Sequence, residues 1–162
     1  MRRTVRIMTG VAAAVALTAF AISCGDSISP QPPTFTATLL GANERPNPVT
    51  TSATGTATFT DNTTSIDYKV DVANLTAPFA AHIHLGGAAV AGPVIFNLFN
   101  PVGTVPGSFT GTLATGTIRS TNSATVSLDS LRTLFNNGNA YVNVHTSANG
   151  GGEIRGQVAR SN

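Results

Sequence analysis

The chain has 162 residues, of which only 10% are charged, and its nine Lys and Arg against seven Asp and Glu give a formal net charge of +2 at pH 7. Three of the nine basic residues lie within the first six positions, so the rest of the chain has six basic against seven acidic residues. Nucleic-acid binding depends on clustered Lys and Arg that displace counterions from phosphates. The composition therefore argues against nucleic acid as a partner.

The N-terminus has the pattern of an export signal, with Arg2, Arg3 and Arg6 ahead of an apolar run over 11–22. This run is shorter than the roughly 20 apolar residues that span a bilayer. The letters "AISC" at 21–24 resemble the lipobox of bacterial lipoproteins, in which the signal is cleaved before an acylated cysteine. We therefore predict a lipoprotein signal peptide over 1–23 and lipidation of Cys24. The alternative is an ordinary cleaved signal that leaves a free thiol, which is a liability in an oxidising compartment.

Lipidation of Cys24 would anchor the protein in the bacterial cell envelope, outside the cytoplasm, with membrane lipid as a partner. Each buried CH₂ contributes about 0.8 kcal/mol, so two or more acyl chains hold a protein on a membrane without a spanning helix. Gly25 gives no strong retention cue, which favours the outer membrane. Residues 24–33 are then the acylated cysteine and a polar, proline-bearing tether. Residues 34–160 are one domain, which must fold without a disulfide because Cys24 is the only cysteine.

Period-two alternation, rich in Thr, Val, Ile and Phe, dominates this domain and is typical of β-strands. "DNTT" at 61–64 suits a hairpin turn, and "SANGGG" at 147–152 suits the turn of a final hairpin. We expect an all-β antiparallel sandwich of seven to nine strands. The predicted strands cover 34–40, 54–60, 64–72, 79–85, 92–99, 107–113, 117–128, 139–146 and 152–159.

The segment "SLDSLRTLFNNG" at 127–138 breaks the alternation and predicts one short helix. Its large apolar residues recur at helical spacing, namely Leu128, Leu131, Leu134 and Phe135. Ser127 or Asp129 can cap its start, and Gly138 is placed to end it.

The chain has three histidines, His82, His84 and His145. Alternate side chains of a strand share a face. His82 and His84 therefore point together, and the apolar residues between and beside them point the other way: Ala81, Ile83 and Leu85. In the strand over 139–146 the valines face the core, so His145 shares the opposite face with Tyr141 and Asn143.

The last strand extends the same polar face, with Glu153, Arg155 and Gln157 pointing outward. A regular final hairpin would place His145 across from Glu153 and Asn143 across from Arg155. The sequence thus predicts a concentration of polar side chains at one end of one sheet face.

The segments "AAHIHLGGAAVAGPVIFNLF" (80–99) and "AYVNVHTSANGGGEIRGQV" (140–158) together resemble the CHRD domain, first recognised in the chordin proteins of animals and widespread in bacterial exported proteins. The resemblance covers about 34–159. It implies an all-β, immunoglobulin-like or cupredoxin-like barrel, but no specific activity. In chordin the domain belongs to an extracellular antagonist of growth factors, and those partners have no evident counterpart for a bacterial lipoprotein. The expected partner is an extracytoplasmic protein or a small ligand whose identity the sequence does not give. The motif positions it implies are His82, His84, His145, Glu153 and Arg155.

Two chemical interpretations of this polar face remain open. Three neutral imidazoles suit a divalent transition metal such as Zn or Cu, with Glu153 as a fourth ligand or as the acceptor that orients His145. The other interpretation is a hydrogen-bonded network in which the imidazoles, Asn143, Glu153 and Arg155 pin the strands together. A blue-copper site is excluded, since it needs a cysteine thiolate and Cys24 is assigned to the anchor.

Two functions follow from these interpretations. The first is a non-enzymatic envelope module that binds a partner or ligand. The second is a metal-dependent hydrolase with His82, His84 and His145 as ligands and Glu153 as general base. No other catalytic residue can be assigned, and nothing beyond the histidines resembles substrate machinery, which favours the binding module.

Overall fold

Nine β-strands and one α-helix form in the part of the chain that the computed structural model describes, residues 31–123 and 125–162. They are β1 (Thr34–Leu40), β2 (Thr54–Asp61), β3 (Ile66–Thr76), β4 (Pro78–Leu85), β5 (Val94–Phe99), β6 (Ser108–Ile118), α1 (Leu128–Asn136), β7 (Ala140–Thr146), β8 (Ile154–Gln157) and β9 (Ala159–Arg160), with a 3₁₀ turn at Gly41–Asn43. The predicted signal peptide, Cys24 and most of the predicted tether lie outside the described residues. None of the helices in the described residues is long and apolar enough to cross a membrane.

The strands form one antiparallel sheet in the order β5-β4-β7-β8-β1-β2-β3-β6, with β9 paired to β1. The sheet curls until its two end strands, β5 and β6, come into contact. Tyr68 on β3 helps to hold the two ends, because its hydroxyl donates to the Leu98 carbonyl of β5 over 3.0 Å. The predicted all-β antiparallel fold with one short helix is confirmed, and its strands belong to a single, nearly closed sheet.

The predicted division of the chain into strands is wrong in two regions. The segments 107–113 and 117–128 were expected as two strands, whereas β6 is one strand from Ser108 to Ile118. Gly111 (φ +138°) interrupts the alternation, and the pairing with β3 shifts register nearby, so one strand reads as two. Beyond Ile118 the chain turns, with Asn122 Oδ1 accepting from the Arg119 amide over 2.7 Å. The last predicted strand is likewise divided into β8 and β9.

The core lies inside the curled sheet, and α1 closes one end of it. Phe135 of α1 is 1% exposed and packs against Phe35 and Phe59, with ring centroids 5.3 Å and 4.8 Å away. Ser127 is the N-cap, as predicted, with its hydroxyl oxygen accepting from the Ser130 amide over 3.1 Å. Gly138 (φ +64°) follows the helix, which ends at Asn136.

The outer face of β4, β7 and β8 bears the predicted polar residues. Across β4 and β7, His82 pairs with Asn143 and His84 with Tyr141. Across β7 and β8, Asn143 pairs with Arg155, as the hairpin register predicted. Residues directly opposite in neighbouring strands share a face, so the strands themselves bring these side chains together.

One expectation about side-chain direction is wrong, and one polar side chain is more buried than its position on the outer face indicates. Leu85 was expected to face the core with Ala81 and Ile83, but it is 40% exposed because it lies at the end of β4, where the chain leaves the sheet. Arg155 lies on the outer face, as the alternation predicted, yet it is only 2% exposed. The loop over residues 86–93, here called the β4–β5 loop, folds back over this face and covers it.

Candidate metal centre

The three histidines form one cluster. One ring nitrogen from each of His82, His84 and His145 lies within 4.8 Å of the other two. The closest pair is His82 Nδ1 and His145 Nε2, 3.0 Å apart. Two imidazole nitrogens bound to one zinc ion at about 2.0–2.1 Å each stand about 3.3 Å apart in a tetrahedral arrangement. The cluster therefore needs only small side-chain movements to place three nitrogens around one ion.

Backbone carbonyls fix two of the imidazoles in one tautomer. His84 Nδ1 lies 2.8 Å from the Gly92 carbonyl of the β4–β5 loop, and His145 Nδ1 lies 3.0 Å from the Gly150 carbonyl. A carbonyl oxygen only accepts, so both Nδ1 atoms bear the hydrogen and both Nε2 atoms keep a lone pair. Metal-binding histidines are oriented in this way by the bond that the second ring nitrogen makes.

Burial keeps the cluster neutral. It lowers the pKa of His82 from 6.5 to about 4, with the neighbouring His145 and His84 acting in the same direction. Burial also lowers the pKa of His84 and of His145, although the carbonyl partner of each acts the other way. Neutral imidazoles are the form that binds a metal, so the cluster need not lose a net proton at pH 7 before an ion binds. His82 has only to shift its hydrogen from Nδ1, which faces the His145 Nε2 lone pair, to Nε2.

Two buried acceptor atoms, one in the cluster and one on the residue opposite His82, lack a donor. Neither His84 Nε2 nor Asn143 Oδ1 has a hydrogen-bond partner among the described residues. Leaving a buried polar atom unpaired costs about 1–3 kcal/mol. A purely structural hydrogen-bond network would be expected to satisfy its members, whereas this network ends in lone pairs.

A stack of side chains holds the β4–β5 loop over the cluster. The Tyr141 ring lies between the His84 imidazole, 4.8 Å away and nearly parallel, and the Arg155 guanidinium, 3.4 Å from the ring centroid. Arg155 donates to the carbonyls of Gly87 and Val90, and Gly92 N donates to the Tyr141 hydroxyl. The loop that orients His84 is thus fixed at several points.

Glu153 is not part of the histidine cluster. One carboxylate oxygen accepts from the Thr51 hydroxyl over 2.7 Å and the other from the Thr146 hydroxyl over 2.6 Å. Within the described part of the chain, the ligand atoms that converge belong to the three histidines, and Glu153 is not among these residues. Neither of the roles expected for Glu153, metal ligand or orienting acceptor for His145, corresponds to a contact seen here, since His145 uses Gly150 instead.

Sequence reasoning missed Glu44, which lies directly after the 3₁₀ turn. It is 3% exposed, and its Oε1 atom has no partner among residues 31–123 and 125–162. Burial raises its pKa from 4.5 to about 7, even though the Arg155 charge opposes the rise. Its sequence context, "GANERPNP", is typical of a surface loop and gives no signal of burial. Position 44 is buried because the 3₁₀ turn packs against β8.

A cavity of about 230 Å³ lies beside Glu44. Its wall combines the segment after the 3₁₀ turn with the loop that follows His145: Arg45, Pro46, Asn47, Val49, Asn149, Gly151 and Gly152. Glu44 and the histidine cluster therefore border the same loop, residues 147–152, from two sides.

The fold and this polar face define an all-β domain whose distinguishing residues lie on β4 and on the β7–β8 hairpin. The family model of the CHRD domain matches residues 35–158. The chain belongs to the CHRD domain family, as its two motifs indicated. Comparison with curated proteins and with solved structures found no match.

Proposed function

We propose that this protein is a lipid-anchored envelope protein whose CHRD domain is a non-enzymatic binding module for a divalent transition-metal ion. The ion is held by His82, His84 and His145, and Zn²⁺ and Cu²⁺ both suit three neutral imidazoles. The strongest support comes from His84 and His145. Their Nδ1–H groups are held by the carbonyls of Gly92 and Gly150, and their Nε2 lone pairs face the cluster.

The binding module has more support than the hydrolase. A hydrolase of the kind considered above needs a general base within reach of the metal-bound water. Both oxygens of Glu153 accept from threonine hydroxyls, and Glu153 is not in the cluster. Metal-loaded protein is expected to hydrolyse phosphate and carboxylic esters no faster than the metal-free form.

Metal binding is tested by removing imidazoles singly. Purified protein is stripped with chelator, incubated with Zn²⁺, desalted and measured by elemental analysis. We expect one ion per chain, and replacement of any one histidine by Gln should weaken binding strongly. Zinc at 100 times its Kd should also stabilise the native state by about 2.7 kcal/mol.

Tyr141→Phe is the matched control for His84→Gln. Tyr141 and His84 both hold Gly92, so either change loosens the β4–β5 loop, but only His84→Gln removes a metal ligand. Retention of zinc by Tyr141→Phe and its loss in His84→Gln would support the site. Equal loss in both variants would show that the histidine acts through the loop, and absence of zinc from the wild-type protein would refute metal binding.

The anchor is a separate part of the proposal. Cys24 is the only cysteine, so a labelled fatty acid attached to it must disappear in Cys24→Ser. Gly25→Ala, one residue further along, is the control and should keep the label. Fractionation should recover the wild-type protein with the outer membrane and Cys24→Ser apart from it. A wild-type protein without label would refute the anchor and leave the metal site untouched.

A further inference from the structure

We propose that Asn143 Oδ1 is the fourth ligand of this ion, so that four protein atoms close the coordination sphere. This inference rests on the proposed metal site and adds two properties to it: an N₃O donor set and no position left for an exchangeable water.

The placement of Asn143 supports this. It lies on β7 directly across from His82 on β4, and two residues before His145 on the same face of the same strand. Side chains of directly opposed residues begin about 4.5–5.5 Å apart at their Cβ atoms. Asn143 is 3% exposed, so its amide points into the covered polar face and not into solvent.

The amide oxygen is free to bind a cation. Asn143 Nδ2 contacts the Gly151 carbonyl over 3.5 Å, whereas Oδ1 is without a partner in the structure's described ranges. Reversing the amide would turn the oxygen toward that carbonyl and bring two acceptors together. The orientation with Oδ1 available is therefore the one that the loop favours.

His84 supplies the second half of the argument. Asn143 is the strand neighbour of His82, and His84 lies two residues further along on the same face of β4, so the side chains of Asn143 and His84 share one small area of the sheet. With its hydrogen on Nδ1, neutral His84 presents a lone pair at Nε2, and this atom is unpartnered too within the described part of the chain. Two adjacent buried lone pairs with no donor between them suit a cation, which accepts electron density from both.

A closed site has a functional consequence. Zinc sites that bind through four protein ligands are structural, whereas catalytic sites keep one position for water or substrate. An amide oxygen beside three imidazoles favours Zn²⁺ or Cu²⁺ over Cu⁺, which prefers sulfur ligands. The fourth ligand thus explains why a three-histidine cluster in this fold serves binding and not hydrolysis.

The test uses Co²⁺ as a spectroscopic substitute for Zn²⁺ in the full chain, extracted from membranes in detergent and stripped of metal. Asn143→Leu removes the oxygen and keeps the branched shape and the number of heavy atoms, and Asn143→Asp keeps an oxygen at the same place. Asn97→Leu is the matched control, because Asn97 flanks His82 from the other side, on β5, and is exposed. Azide is added to each Co²⁺-loaded protein to detect an open coordination position.

We expect Asn143→Leu to weaken Zn²⁺ binding, measured in competition with Co²⁺, by about 10–100-fold, the range seen when groups supporting a metal site are lost. Asn143→Asp and Asn97→Leu should bind nearly as the wild type does. Azide should change the visible spectrum of Asn143→Leu only. If a water molecule, and not a metal ion, bridges His84 and Asn143, then Asn143→Leu and Asn97→Leu should bind the metal with equal affinity.

The possible results separate this inference from the function on which it rests. Wild-type protein that binds neither Co²⁺ nor Zn²⁺ overturns both. Two results would refute Asn143 as the fourth ligand and leave the three-histidine site intact. The first is a wild-type protein that binds the ion tightly but responds to azide, and the second is an unchanged metal affinity in Asn143→Leu. If Asn143→Leu does not fold, the wild-type azide response decides alone: no spectral change supports a closed site, and a change refutes it.

Discussion

Glu44 and Glu153 are both buried carboxyls, and their surroundings predict opposite responses to the same substitution. Glu44 Oε1 has no donor within the residues that the structure describes, and burial raises the pKa of Glu44 from 4.5 to about 7. Both oxygens of Glu153 accept from threonine hydroxyls. We expect Glu44→Gln to stabilise the protein at pH 8 and Glu153→Gln to destabilise it.

The magnitude for Glu44 follows from its pKa in the two states. The pKa of Glu44 is 4.5 in the unfolded state and about 7 in the folded state. This difference corresponds to about 3 kcal/mol, since one pKa unit is worth about 1.4 kcal/mol. Below pH 4.5 the carboxyl is protonated in both states and costs nothing. Between pH 4.5 and 7 only the unfolded state ionises, so stability falls as pH rises, and above pH 7 the folded state bears the full cost.

Glutamine imitates the protonated carboxyl, so Glu44→Gln should raise the free energy of unfolding at pH 8 by up to about 3 kcal/mol and leave it unchanged near pH 4.5. Urea unfolding in the presence of chelator, from pH 4.5 to 8, measures the difference between variant and wild type. The histidines have their own pH dependence, of opposite sign because burial lowers the pKa of each, but it is common to both proteins and cancels.

Glu153→Gln replaces one accepting oxygen by a donor and should cost about 1 kcal/mol at pH 8. The reasoning would be refuted if Glu44→Gln were destabilising at pH 8. That result would mean that attraction to Arg155 outweighs the burial of the carboxylate, and that the native state holds an ion pair at this position.

Two further predictions concern packing. Phe135→Ala should lower the free energy of unfolding by about 3–5 kcal/mol, because the ring fills the space between Phe35 and Phe59. The control is Thr133→Ala on the exposed side of α1, which should change the free energy measured by urea unfolding little. Equal effects of the two substitutions would contradict the assigned core. Gly92→Ala should destabilise the fold and weaken zinc binding together, since an added Cβ would lie 1.6 Å from the Leu85 carbonyl oxygen. Unchanged zinc binding in a folded Gly92→Ala would show that the β4–β5 loop does not orient His84.

The strands and the shared histidine face could be predicted because they depend on local alternation. His82 and His84 are two apart on β4, and Asn143 and His145 are two apart on β7, so each pair lies on one face whatever the rest of the chain does. The hairpin register then follows from the short loop at 147–152, and the pairing of Asn143 with Arg155 is as predicted.

What covers that face could not be predicted, because it depends on contacts between distant segments. The β4–β5 loop consists of small residues typical of an exposed turn, yet its carbonyls accept from Arg155 and bury it. Alternation assigns Arg155 to the outer face correctly but cannot show that this face is covered. The partners of Glu153, Thr51 and Thr146, were unpredictable for a related reason, since Thr51 lies in an irregular segment about 100 residues earlier.

The glycines of the two motifs connect the sequence signature of the family to the polar face. At Gly152 (φ +129°) a Cβ would lie 2.5 Å from Glu44 Oε1 and 2.7 Å from Asn143 Nδ2. Gly92 similarly has no room for a side chain against the end of β4. Each glycine lets a loop approach the strands closely enough for a backbone carbonyl to reach a histidine Nδ1. Gly92 supplies the carbonyl for His84 itself, whereas Gly152 lies in the turn whose Gly150 carbonyl reaches His145. If the motif served the fold alone, it would only have to let the strands pair and the loops close, and backbone hydrogen bonds already do both. The close packing at these two glycines does more, because it orients the lone pairs of the imidazoles, as a metal site requires.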